Sequence, residues 1–200
     1  MKGFSLVIFL TGIGHILNLC FFPILTLFVS QSEVVSIAKI DGALALMISI
    51  VGFGLNASTS RDVALLQDPT SVIESTQSSK ITLSLVLSLL GAIWISINGF
   101  DEFAFAALFA PILALGYENV LYGLGKPVLA AVASFIRQSI PLLILLALAL
   151  IGVVSWEVYS FFILLFYVVA AAFVAELCQA RLFYGVRQDF FFDYLDAVIS

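Results

Sequence analysis

Arg137 is the residue of this chain best placed to do chemistry, because it is a cation near the middle of an apolar run. From Val128 to Val153 the sequence is apolar almost throughout, long enough to cross a hydrocarbon core of ~30 Å, which needs about 20 residues. Counted from Lys126 at ~1.5 Å per residue, the guanidinium lies roughly 16 Å inside, where an unpaired charge costs at least ~2.5 kcal/mol. It must face protein, water or a ligand. Pro141, four residues on, has no N–H and leaves the Arg137 carbonyl without its helical partner. A forked, permanently protonated guanidinium in a low-dielectric cavity suits a phosphate or carboxylate. The competing reading is an internal pair with an intramembrane acid such as Asp41, or bonds to freed helix carbonyls.

Other polar groups fall at helical spacing. Thr11, His15 and Asn18 stand at i, i+4 and i+7, on one face with Phe22, and are expected to point inward, either lining a cavity or bonding to neighbouring helices. Asp41, Ala45, Ser49, Gly52 and Asn56 form a second small and polar stripe. Lys39 and Asp41 lie near a predicted span end, so Lys39 is either a snorkelling interfacial cation or, with Asp41, part of an ion-coupling site. No nucleotide-binding loop, zinc-protease motif or nucleophile elbow occurs, so ATP-driven transport by this chain alone is excluded and no enzyme is expected. Neither cofactor nor metal is expected: His15 is the one histidine, and Cys20 and Cys178 fall at different membrane depths.

These residues need elements to hold them, and composition says which. With 62% hydrophobic and 10% charged residues and a mean hydropathy of +1.19, the chain is far from the roughly 25% charge of soluble domains. The fold expected is all-α: a polytopic membrane protein of six transmembrane helices over residues 1–180. The helices are predicted at Phe4 to Val29, Val35 to Asn56, Ile81 to Ile97, Phe103 to Tyr122, Val128 to Val153 and Val158 to Leu177. Between the second and third lies a hydrophilic loop with one short amphipathic helix, from which Ser79 and Lys80 open the third span. Glu118 and Asn119 are expected near the membrane surface.

Lys2, Arg61, Lys80, Lys126, Arg181 and Arg187 then fall on one side and Lys39 alone on the other, which makes both termini cytoplasmic by the positive-inside rule. Residues 181–200 are too charged to span. They read as a cytoplasmic amphipathic tail or an inter-lobe linker, with Asp189, Asp193 and Asp196 on one face. The net charge of −5 comes with no basic patch, so nucleic acid is not expected as a partner.

The order of elements resembles the amino-terminal half of the O-antigen flippases, the polysaccharide exporters of the multidrug/oligosaccharidyl-lipid/polysaccharide superfamily. The resemblance rests on three places: Asn18 ahead of an aromatic, proline-containing exit at Pro23; the run Gly54-Leu55-Asn56-Ala57-Ser58-Thr59-Ser60-Arg61-Asp62-Val63-Ala64; and Tyr122-Gly123-Leu124-Gly125-Lys126. It extends from Phe4 to about Gln179. It implies a flippase of the bacterial inner membrane that carries an undecaprenyl-diphosphate-linked oligosaccharide to the periplasmic leaflet by alternating access between two six-helix lobes. Arg61 matches the family's motif arginine. Arg137, His15, Asn18 and Asn56 are the further cavity candidates, taken from depth and face. Family members have twelve to fourteen helices and this chain has six, so a second lobe is expected from the same longer gene, a second copy or a partner chain. Rival readings are a drug or cation antiporter of that superfamily working through Asp41, and a non-transporting membrane scaffold.

Overall fold

The computed structural model describes residues 2–65, 69–116 and 118–182. They are helical almost throughout: α1 (Lys2–Leu25), α2 (Gln31–Val51), α3 (Leu55–Leu65), α4 (Thr70–Asn98), α5 (Glu102–Leu108), α6 (Ala110–Leu113), α7 (Glu118–Gly123), α8 (Pro127–Leu150) and α9 (Trp156–Leu182). Of the expected tail, Arg181 and Leu182 end α9, and the rest, with Arg187, Asp189, Asp193 and Asp196, lies outside the described residues. Among the described residues, five helices are long and apolar enough to cross a membrane: Phe4–Leu25, Gln31–Val51, Ser71–Asn98, Pro127–Leu150 and Trp156–Leu177. Large apolar side chains such as Phe9, Leu19, Leu89 and Phe161 face outward, which suits a lipid solvent. The expected fourth span is not one helix. It is a pair, Glu102–Leu108 and Ala110–Gly123, bent by 56°, so a sixth crossing exists only if the bent pair makes one.

The core lies between α2, α5, α8 and α9, where Ile37, Ile40, Leu44, Leu145 and Tyr159 are all but inaccessible. A smaller cluster of Val120, Leu121, Leu129, Ala133 and Val174 joins α7 to α8 and α9. Helix α1 packs mainly on α8, and its buried residues, Gly14, Phe21 and Leu25, are spaced by seven and four. Thr11, His15 and Asn18 flank that face and keep much of their surface exposed. The stripe on α2 behaves likewise: Ala45 and Ser49 are exposed while Ala43, Leu44, Met47 and Val51 are buried.

The largest departure from expectation is at residues 52–80. Helix α2 stops at Val51, where Gly52, Phe53 and Gly54 turn the chain, Gly54 at φ 68°, a conformation costly for any residue with a Cβ. The short helix expected within that loop is present as α3, but the stretch from Thr70 to Lys80, expected as loop, is the first third of α4. Its serines and threonines do not break the helix because their hydroxyls return to it, as Ser75 Oγ donates to Val72 O at 3.1 Å, Ser79 Oγ to Ser75 O at 2.8 Å and Thr82 Oγ1 to Ser78 O at 2.8 Å. Lys80 then falls well inside α4 and is only 3% exposed, so it leaves the set of bases that marked one membrane face.

Helix α4 also explains how the bent pair is tolerated. Breaks at Phe109 and at Leu115 to Gly116 interrupt the helical ladder, and unsatisfied carbonyls are costly inside a membrane. Three side chains on one face of α4 reach these breaks: Ser88 Oγ donates to Leu108 O at 3.0 Å, Gln77 Nε2 to Ala114 O at 3.0 Å and Lys80 Nζ to Gly116 O at 3.1 Å. On the same face Gly91 admits α5. A Cβ there would stand 2.9 Å from both Ala104 O and Ala107 Cβ.

The α4–α5 turn is closed by Asp101, which caps α5 by accepting from Ala104 N at 2.7 Å and also accepts from Trp94 Nε1 at 2.6 Å. These two bonds, the backbone one first, hold its carboxyl below the ordinary carboxylate range. A group depressed in the folded state contributes its stability above its unfolded pKa of ~3.9 and loses it as pH falls through the folded one. Asp101→Asn is expected to remove that acid-range slope while keeping the cap, checked by thermal unfolding at pH 3 and pH 7.

Candidate functional site

Several polar residues of the interior meet at one hollow of about 210 Å³, walled by α2, α3, α4, α6, α7, α8 and α9. Arg137 enters from the middle of α8. Its Nε donates to Glu118 Oε1, and its Nη1 donates to Tyr167 Oη at 2.5 Å, with the guanidinium carbon 4.8 Å from the centre of the Tyr167 ring. Glu118 is 7% exposed, its carboxylate enclosed by protein. Breaking the bent pair before Glu118 makes it the first residue of α7, so its carboxylate turns to the interior and meets α8.

Lys80 is the second cation of the hollow. Its Nζ donates to Asn56 Oδ1 at 2.5 Å and to Gly116 O at 3.1 Å. An ammonium has three hydrogens and a guanidinium five. The contacts just given use two on Lys80 and two on Arg137, and both side chains line the hollow. Two cations against one carboxylate leave the wall with an excess of positive charge. Asn119, Tyr122 and Ser134 add neutral polar groups.

Of the residues singled out from sequence, Arg137 and Asn56 meet in this hollow, and the rest lie elsewhere. His15 lines a smaller hollow of about 130 Å³ between α1 and α8 with Thr11, Gln138 and Ser139. The two hollows share Tyr122 and Ser134 as walls. Asn18 is exposed, and its Nδ2 donates within α1 to Gly14 O at 3.0 Å. Arg61 is exposed on α3 and pairs with its neighbour Asp62 at 2.9 Å. Asp41 is half-buried and accepts from Tyr159 Oη at 2.5 Å, so it is not the acid that meets Arg137. Lys39 lies at the surface, 3.6 Å from Glu102.

Sequence reasoning missed Glu118, Lys80 and Tyr167. A usable signal existed for Lys80: Ile73, Gln77, Lys80, Ser84 and Gly91 keep helical spacing through the supposed loop. Among the described residues, no three His, Cys, Asp or Glu side chains cluster as metal ligands would.

The fold and site define an α-helical protein with several apolar helices, compatible with a multi-pass membrane protein, around a polar, cation-rich interior hollow. Comparisons with protein-family models, with curated proteins and with solved structures find no significant match.

Proposed function

We propose that this chain is one lobe of a membrane transporter that holds an anionic headgroup in the Lys80–Arg137 hollow. The observation that carries this is the charge balance there: two cations against one carboxylate, with more N–H groups than the contacts above use, around a space of about 210 Å³. Such donors match the oxygens of a phosphate or diphosphate. Together with the resemblance noted above, this supports a flippase for a lipid-linked oligosaccharide in a bacterial inner membrane. Both termini would be cytoplasmic and a second six-helix lobe would complete the cavity. Asn56 orients Lys80 in this reading, while Arg61 lies outside the hollow and has no part in holding the headgroup.

A second reading, a non-transporting scaffold, is favoured by the internal pairing of Arg137 with Glu118 and Tyr167. The decisive variant removes the pair together, Arg137→Met with Glu118→Leu, in the full-length gene product. If the hollow holds substrate, this protein inserts normally and export falls at least tenfold in a complementation assay, while Arg137→Lys keeps part of the activity. Normal export by the paired variant overturns the transport reading.

A further inference from the structure

On the outer flank, away from the polar hollow, a groove of about 410 Å³ runs between α5, α6 and α9. Its walls are Phe105, Phe109 and Ile112 on one side and Trp156, Leu164 and Val168 on the other. From Trp156 to Val168 it covers thirteen residues of α9, roughly 18 Å at a rise of ~1.5 Å per residue, a little over half of a ~30 Å hydrocarbon core. One acyl chain of one leaflet fills that length. The groove is set by aromatic packing: Trp156 meets Phe100 and Phe105 with ring centres 5.7 and 5.9 Å apart, and Phe105 meets Phe109 at 4.7 Å. Ser160, which also lines it, donates to Trp156 O at 2.8 Å and is 2% exposed, so no hydroxyl there needs an outside partner. The interior of the groove is therefore built for hydrocarbon.

Its mouth is not neutral. Glu157 lines the groove beside Trp156, and the Phe100–Trp156 contact brings the α4–α5 turn with Asp101 and Glu102 to the same end. With Lys39 of α2 paired to Glu102, three acids, Glu157, Asp101 and Glu102, stand against one base. That field repels an anionic headgroup and attracts an ammonium. We propose that this groove is a site for one chain of a phospholipid whose headgroup carries a primary ammonium, in the leaflet at the Glu157 end. The site is separate from the Lys80–Arg137 hollow and does not rest on the transport reading.

The test uses Trp156 as its own reporter, in the whole chain carrying Trp94→Phe, reconstituted with brominated-chain phosphatidylethanolamine or phosphatidylglycerol of identical chains. Trp156 emission should be quenched by the ethanolamine lipid at a several-fold lower mole fraction, on the order of fivefold. Glu157→Gln should shrink that preference. Val168→Phe, which fills the inner end, should weaken quenching by both lipids. Equal quenching by the two lipids, or quenching indifferent to Val168→Phe, would mean ordinary bulk lipid contact and overturn the proposal. A Trp156 shielded from both would mean that protein, a second copy or another segment, covers the groove, and would overturn it too.

Discussion

Removing Glu118 should destabilise this protein more than removing Arg137, although the two form one ion pair. Glu118→Ala leaves Arg137 and Lys80 facing one another across the hollow with no carboxylate between them. Arginine cannot shed its proton in a protein, and a buried charge stripped of its partner costs about 3–5 kcal/mol. Arg137→Ala instead leaves one acid and one base, Glu118 and Lys80, on the same wall, and a lone buried carboxylate can also neutralise itself by taking a proton. The smaller loss, about 1–3 kcal/mol, is expected there, from the packing and hydrogen bond withdrawn from Tyr167. Unfolding in detergent, followed by circular dichroism for both single variants and for Arg137→Met with Glu118→Leu, reads the difference. Equal losses for the two alanine variants would mean that Lys80 does not share the charge of this site.

A comparable effect is expected from a single methyl group at Gly123. A Cβ there would stand 2.6 Å from Ser60 O and 2.8 Å from Val63 Cβ, so it meets backbone and a stiff branched side chain, neither of which can swing away. Gly123→Ala should cost about 1–3 kcal/mol as overpacking, and Gly123→Val more. Gly125 is constrained for another reason, since its φ of 71° has open space around it; alanine there strains the turn without forcing helices apart. Thermal unfolding of Gly123→Ala against Gly125→Ala separates the two, because only the former should also loosen Asn56, carried by α3, from Lys80.

That contact gives physical meaning to two segments that sequence could only align. Gly54 to Ala64 and Tyr122 to Lys126 lie some sixty residues apart, and they pack on one another where α3 meets α7. The interior cation at Arg137 was legible because depth in an apolar run is a property of sequence alone. The long apolar helices α1, α2, α8 and α9 were legible for the same reason. The partner was not. Glu118 sits at the end of an apolar run that reads as one helix, and only tertiary packing at Phe109 and Gly116 turns it inward. Lys80 was hidden by serines and threonines, which signal a loop when their hydroxyls go to water and a helix when they return to the turn before. Polar stripes were legible in part. Thr11 and His15 line the small hollow between α1 and α8, while Asn18 donates back to Gly14 O within its own helix; periodicity shows that a face exists, not which neighbour receives it.

Lys80 joins two tasks that are usually kept apart. Its ammonium closes a gap in the backbone at Gly116 and steadies Asn56, and it also borders the space where an anion would sit. Any occupant that draws this ammonium toward itself weakens its hold on the interrupted span. Filling the hollow and loosening the bent helix pair are thereby opposite ends of one lever, with α4 as its arm.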